Sequence, residues 1–347
     1  MMDNKAMKYR YGEFFSGPGG LSLGAIQASY KKGKSKASIE HTWASDYDED
    51  SCQTYIKNIC PNDPDSVICQ DIHKLKINKL SPIDIFAYGF PCNDFSIVGE
   101  SKGFDGKFGP LYKYGLKVIR KFNPIAFVAE NVGGITSANG GEAFKKILKD
   151  MEKCGKGYNI SFQKYKAEEY GVPQTRHRII IVGIRKDQNK TFLHPQPTHI
   201  KNYVSVKEVL ENPGISSNMA NHEMPISSPT VTERLKHIKP GENVWNADLP
   251  KHLQLNVKGA KLSQIYKRLH PKKPSYTLTG SGGGGTHGYH YKEPRPLTNR
   301  ERARIQTFPD EFIFEGKYGS VRKQIGMAVP PMLAKIIFNE LLKQLNS

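Results

Sequence analysis

Apolar residues recur in two rhythms along the first half of the chain. Short apolar runs bounded by turn residues read as strands at Tyr9–Phe15, His41–Ser45, Ser66–Cys69, Ile83–Tyr88, Ile125–Ala129 and Ile179–Ile184. Between several of them the apolar spacing lengthens to three and four. That predicts helices over Leu21–Lys31, Glu49–Asn58, Leu111–Phe122 and Glu142–Lys153. This alternation predicts an α/β fold with a Rossmann-like, mostly parallel mixed sheet and helices on both faces. Ligands of such sheets bind at the carboxyl ends of the strands, so chemistry is expected in the loops there.

After Arg185 the rhythm fails. Residues 186–297 are rich in Pro, His, Asn and Lys, with short strand-like pieces, and predict a smaller, β-rich second domain. Helical signals return at Thr298, an N-cap with Glu301 three residues on. A last helix, about Pro331–Leu345, spaces Leu333, Ile336, Ile337 and Leu341 to pack back on the first domain. The expected division is therefore 1–185 with 298–347, and 186–297.

Composition narrows the class. Hydrophobic residues make up 37% of the chain, enough for a core, which excludes global disorder. No apolar stretch approaches the ~20 residues that span a bilayer. The start, Met1 to Lys5, has no apolar signal region, so a cytoplasmic, nucleoid-associated protein is expected. The net charge of +18 suggests a polyanionic partner. Half of that excess falls in residues 185–292, with 16 Lys and Arg against 7 Asp and Glu. A solvated lysine-rich surface is the plainer reading. Five cysteines with no Cys-x-x-Cys pair disfavour both a disulfide framework and a cysteine-rich zinc site.

Candidate chemistry sits at the strand ends. Phe15-Ser16-Gly17-Pro18-Gly19-Gly20 turns from a strand into a helix, where glycines let a ligand approach the backbone. It matches neither a dinucleotide fingerprint nor a phosphate loop, and a simple tight turn reads equally well. Asp46 closes the next strand and could accept bonds from ribose hydroxyls; Asp71 follows another and could accept one from an adenine amino group. Taken singly, each is more often a helix cap or a solvated acid. Cys92, in Gly89-Phe90-Pro91-Cys92, lies just past a buried strand, where a thiol can act as a nucleophile or simply pack. Glu130 ends another strand and could serve as a general acid or base. Arg176 and Arg178 alternate on an extended segment, so both should face one side and suit an anion or a carbonyl oxygen.

Taken in order, these blocks resemble the bacterial DNA (cytosine-5)-methyltransferases, the methylases of type II restriction–modification systems. The resemblance runs nearly the whole length. It continues through Gln174-Thr175-Arg176-His177-Arg178, a variable region, Arg268-Leu269-His270, Pro274–Gly280, and Gly326-Met327-Ala328-Val329-Pro330-Pro331.

The resemblance implies roles by position. Cys92 would add to C6 of a flipped-out cytosine in double-stranded DNA. Glu130 would engage N3 and the exocyclic amine, Arg178 the O2, and Arg176 the cysteine loop and a phosphate. S-adenosyl-L-methionine would be the cofactor and S-adenosyl-L-homocysteine its product. Phe15, Gly17, Gly19, Gly20, Asp46, Tyr47, Asp71, Ile72, Pro91, Leu111, Ala328 and Val329 would line its site. No metal is implied. Residues of about 186–265 take the place of the target-recognition region. A monomer, paired functionally with a restriction endonuclease and bound to no membrane, is expected. Three departures stand out: Glu13 where many members carry Asp, Asn93 where Gln is usual, and Met327 where Asn is usual. The last removes a polar side chain near the cofactor. A transfer-RNA methyltransferase, an inactive DNA-binding homologue and, remotely, a nicotinamide oxidoreductase are the rival readings.

Overall fold

The computed structural model describes residues 6–90, 111–256, 262–280 and 285–347. Two compact units emerge. One comprises Met1–Lys166, His177–Gln196 and Pro331–Ser347; the other comprises Ala167–Arg176 and Pro197–Pro330. Residues 298–330, grouped with the catalytic part in the sequence division, thus belong to the second unit.

The first unit is built on one sheet. Its strands are β1 (Met7–Phe14), β2 (Ser29–Lys32), β3 (Ser35–Asp46), β4 (Val67–Cys69), β5 (Ile85–Tyr88), β6 (Ala126–Val132), β7 (Tyr158–Lys166) and β8 (His177–Arg185). The order is β2-β3-β1-β5-β6-β8-β7, with β4 also paired to β3. Pairings among β1, β3, β4, β5 and β6 are parallel, while β2, β7 and β8 join antiparallel. The α/β fold with a mixed sheet is therefore the expected one. The central strands read as unbroken apolar runs because both faces are covered: all four residues of β5 are buried. Phe14, Trp43, Phe86, Tyr88 and Phe127 form the aromatic part of that core.

The helices of this unit are α1 (Gly20–Ile26), α2 (Glu49–Ile59), α3 (Tyr112–Phe122), α4 (Glu142–Glu152) and, at the end of the chain, α9 (Pro331–Leu345). The expected helix over Leu21–Lys31 is corrected: α1 stops at Ile26, and Ser29–Lys32 is β2. Gly33, at φ +57, turns the chain so that β2 pairs back on β3, and strand pairing outweighs the weak helical spacing. Strand β7 carried no clear signal, because its edge position leaves most of its residues only partly covered.

Helix α9 packs on α1, as its spacing implied. A Cβ at Gly24 would lie 2.4 Å from the Ala334 Cβ, 2.6 Å from the Lys335 nitrogen and 2.6 Å from the Pro331 carbonyl oxygen. Two of these three neighbours are backbone and cannot swing aside. Gly24→Ala should therefore destabilise the protein by about 1–3 kcal/mol, despite alanine's better helix propensity. Denaturant titration would read this; unchanged stability would mean that α1 and α9 part easily.

The second unit contains α5 (Val206–Glu211), α6 (Pro229–Lys236), α7 (Asn299–Ile305) and α8 (Tyr318–Met327). The β-rich expectation is corrected: among its described residues there are only isolated bridges, such as Gln174 with Ser275 and Arg268 with Tyr289. Buried arginines do much of the cross-linking that ladders would otherwise do. Arg268 donates to the carbonyls of His290, Leu235, Ile238 and Tyr291. Arg300 donates to those of Ala220, Pro309 and Phe312. The predicted capping box at Thr298 and Glu301 is present, with reciprocal bonds of 3.1 and 2.8 Å. Tyr318–Leu345 is long and apolar enough, by length and composition alone, to cross a membrane, which corrects the expectation that no stretch reaches that size. Ala328–Pro330 break it into α8 and α9, and 61% of the apolar window is buried.

Candidate active site

In the first unit, β1, β3 and β4 end side by side, and their loops carry the expected cofactor residues. Phe15 leaves β1 with φ +55, a conformation an aromatic residue rarely adopts, and Gly17 and Gly19 follow at φ +51 and +97. A Cβ at Gly17 would meet nothing within 4 Å, so the turn faces open space. Gly19 caps α1 and Gly20 begins it. Asp46 ends β3. Its carboxylate accepts from the Gly17 nitrogen at 2.8 Å, the Tyr47 nitrogen at 2.8 Å and the Asp48 nitrogen at 3.0 Å. These bonds tie two of the loops together. Burial raises the Asp46 pKa nonetheless, with the three N–H groups opposing it.

Tyr47 presents an exposed ring (67%) beside this acid. Asp71, just past β4, accepts from the His73 nitrogen at 2.9 Å and meets His73 Nδ1 at 2.6 Å; these bonds lower its pKa. Ile72 and Leu111 belong to one apolar cluster with Phe90, and Phe15 packs against it.

The reacting groups are expected one step along the sheet. Glu130, on β6, pairs with Arg178, on β8, at 2.7 Å, and both side chains are largely buried. Gly89 leaves room for the acid: a Cβ there would sit 3.3 Å from Glu130 Oε2. Asn131 donates from Nδ2 to the Phe90 carbonyl at 2.9 Å and so anchors the chain where it leaves β5. Pro91 and Cys92 themselves lie outside the described residues, as does Asn93.

In the second unit, three of the blocks named from the sequence meet. Arg176 is buried and donates to the carbonyls of Gly326 and Ala328 at 2.9 and 3.0 Å. Its guanidinium is thus anchored on main-chain carbonyls. Gln174 donates to Gln306 at 2.6 Å, and its side-chain oxygen accepts from the Leu278 nitrogen at 3.1 Å. Thr277 donates to the Thr175 carbonyl at 2.6 Å. Gly326 and Gly280 touch backbone to backbone, where a Cβ at Gly326 would come within 2.1 Å of the Gly280 nitrogen. Ala328 and Val329 are buried, and Met327 is exposed.

Three groups carried no assigned role in the sequence reading. Asn131 was legible only as the middle of Glu-Asn-Val. Ser16 has a buried hydroxyl with no hydrogen-bond partner among the described residues, inside the glycine-rich turn. Glu13 is buried beneath that turn, and burial pushes its carboxyl up to about 8.

The sign of the Glu13 effect is definite. Below the ordinary carboxyl value of 4.5 both folded and unfolded chains hold the proton. Between that value and about 8 the unfolded chain releases it and the folded chain keeps it, so stability falls as pH rises through this window. Glu13→Gln should therefore gain thermal stability over the natural protein at pH 8 and little at pH 4.5. Equal melting shifts at both pH values would mean that Glu13 is ionised in the fold.

A Rossmann-like sheet with a glycine-rich first turn, acids at the next two strand ends and a Glu–Arg pair beyond them defines a methyltransferase-class architecture. The chain belongs to the C-5 cytosine-specific DNA methylases, whose family it matches over residues 9–343, and it is a DNA (cytosine-5-)-methyltransferase. It is 56% identical to the type II methyltransferase M.BbvI of Brevibacillus brevis, over 97% of this chain and 91% of that protein. It is 40% identical to the type II methyltransferase M.NgoFVII of Neisseria gonorrhoeae, over 95% and 85% of the two chains. Among solved structures, a prophage-encoded Escherichia coli protein assigned as a DNA modification methyltransferase shares the fold. Its TM-score is 0.72 at 24% identity, with 98% of this chain and all of that one covered.

Proposed function

We propose that this enzyme methylates C5 of a cytosine flipped out of a specific double-stranded DNA sequence, through a Cys92–C6 adduct. We further propose that the mark protects host DNA from a partner restriction endonuclease. The observation that carries the chemistry is the buried Glu130–Arg178 pair, held between β6 and β8. The protective role rests on similarity to relatives named as type II methyltransferases.

The first unit suits S-adenosyl-L-methionine. The Ser16 hydroxyl offers a buried bonding site, Gly17 open space, Tyr47 an exposed ring, and Phe15, Ile72 and Leu111 apolar side chains. Asp46 keeps lone pairs for the ribose, and Asp71 is placed for an amino group. When bound, the cofactor supplies an electrophilic methyl group. Cytosine C5 is a poor nucleophile on its own. Addition of the Cys92 thiolate at C6 makes it electron-rich, and Glu130 balances the charge that develops at N3. Arg178 orients Glu130 and reaches O2 of the base. After transfer, loss of the C5 proton expels Cys92. The base must leave the stack for any of this, at a cost of a few kcal/mol.

The second unit, including residues 186–297, is read as the target-recognition part. It has an open cavity of about 880 Å³ lined in part by His199, Lys201, Asn202, Lys272 and Lys273, with Glu168 and Glu208 also on its wall. Lysines there suit phosphates and imply steep salt dependence. One set of reacting residues per chain is compatible with a monomer.

The test is transfer of labelled methyl from S-adenosylmethionine to duplex DNA and to transfer RNA, with bisulfite sequencing of the DNA. Label at C5 in one short context, in DNA that then resists the partner nuclease, is the expected result. Label in RNA alone would replace the substrate, and DNA binding without label would indicate an inactive homologue.

A further inference from the structure

A buried polar chain runs beneath the cofactor loops and takes no part in the chemistry above. Glu13 Oε2 meets the Tyr11 hydroxyl at 2.9 Å and, at closer range, the Ser22 hydroxyl. Ser22 meets the Tyr55 hydroxyl at 2.5 Å, and Tyr55 meets His41 Nδ1 at 3.1 Å. His41 Nε2 meets Ser66 Oγ at 2.8 Å, and Ser66 donates to the Asp63 carbonyl at 2.6 Å.

Every member adjoins a cofactor loop. Glu13 precedes Phe15 on the strand, and Ser22 lies in the first turn of α1. Tyr55 braces the Gly19 turn, where a Cβ would lie 3.0 Å from its ring. His41 lies on β3, which ends at Asp46, and Ser66 immediately precedes β4 and the Asp71 turn.

Counting protons restricts the chain. Ser66 has one proton and gives it to Asp63, so His41 Nε2 must donate to Ser66. With one titrating proton in the chain, two arrangements satisfy every contact. In the first, Tyr55 donates to a neutral His41, Ser22 donates to Tyr55, and a protonated Glu13 donates to Ser22. In the second, a cationic His41 donates to Tyr55, Tyr55 to Ser22, and Ser22 to an ionised Glu13. That proton sits at one end or the other. Burial selects the first arrangement, because it raises Glu13 to about 8 and lowers His41 to about 4. The groups facing Glu13 reinforce this: Tyr11 from its own strand, Asp46 from β3 and Tyr55 from α2 supply no positive charge, and its β5 neighbour is Ala87.

We propose that Glu13 carries this proton in the working enzyme and that the chain from Glu13 to Ser66 positions the cofactor loops, setting cofactor affinity and not the rate of methyl transfer. This rests on the S-adenosylmethionine reading above. Ionising Glu13 would leave one contact of the chain without a proton and loosen its hold on Tyr55, whose ring abuts the Gly19 turn.

Calorimetric binding of S-adenosylhomocysteine at pH 6.5 and 8.5, with kcat at saturating cofactor, tests it. Tyr55→Phe, which keeps the ring against Gly19, should raise Kd about tenfold at both pH values with kcat within twofold. The natural protein should bind several-fold more weakly at pH 8.5 than at 6.5. Glu13→Gln, whose amide donates as the neutral acid does, should match it at pH 6.5 and lose the pH dependence. Three results would overturn the proposal: Tyr55→Phe binding within twofold of the natural protein, a kcat loss at unchanged Kd, or Glu13→Gln as weak as Tyr55→Phe at pH 6.5. No binding by the natural protein would instead refute the cofactor reading itself.

Discussion

Cys92→Ser is expected to lower methyl transfer at least a thousandfold while leaving duplex DNA binding within a few-fold of normal. A thiol is a few per cent thiolate at neutral pH and strongly nucleophilic, whereas a serine hydroxyl is neither ionised nor activated here. Strand β5 ends at Tyr88, and Asn131 holds the Phe90 carbonyl at 2.9 Å, two residues short of Cys92 in the sequence. Binding is read by gel shift and turnover by label transfer. Near-normal turnover in the serine variant would rule out covalent catalysis through this residue.

Glu130→Gln should be nearly as severe, reducing kcat by about 10²–10⁴. The amide keeps the shape and can still accept from Arg178, but it can neither balance charge at N3 nor exchange a proton. Both members of the pair are largely buried, so the substitution also leaves the Arg178 cation without its counter-charge, and some stability is lost. The two effects separate in the measurement. A fall in kcat at a temperature well below the variant's melting point reports the chemistry. If kcat holds while the melting point drops, Glu130 is a structural anchor for Arg178 and no more. Arg178→Ala should weaken the complex with flipped base and is read by the same pair of assays.

Much of the first unit was legible because its strands are buried on both faces and therefore read as apolar runs. Asp46, Asp71 and Glu130 were found as acids that end such runs; the structure puts Asp46 at the end of β3, Asp71 two residues past β4 and Glu130 inside β6, two residues before its end. Strands β2 and β7 were not legible: they are edge strands, mostly polar, and only pairing with β3 and β8 makes them strands. The second unit was misread for a different reason. Its Pro- and His-rich pieces suggested strands, yet its order comes from arginine side chains bonded to carbonyls, which no periodicity announces. Arg234, Arg268 and Arg300 were counted toward attraction for a polyanion, and all three are buried. The charge available to a partner is thus smaller than the composition implied. Ser22 and Tyr55 gave no signal either. They sit on ordinary amphipathic helices, and their role arises only from meeting Glu13 across the fold.

The packing of α9 against α1 has a consequence for synthesis. The Ser29 nitrogen donates to the Asn339 side chain, a contact spanning 310 positions, and the nearest neighbours of a Cβ at Gly24 are Pro331, Ala334 and Lys335. While the ribosome makes the intervening chain, at about 5–20 residues per second, the small-residue face of α1 stays open for tens of seconds. The first unit cannot close until the residues from Pro331 to Asn339 have been made. The nascent protein must therefore be kept from aggregating until that point, and lower growth temperatures or added chaperones should improve its soluble yield more than they would for a unit that closes as it emerges.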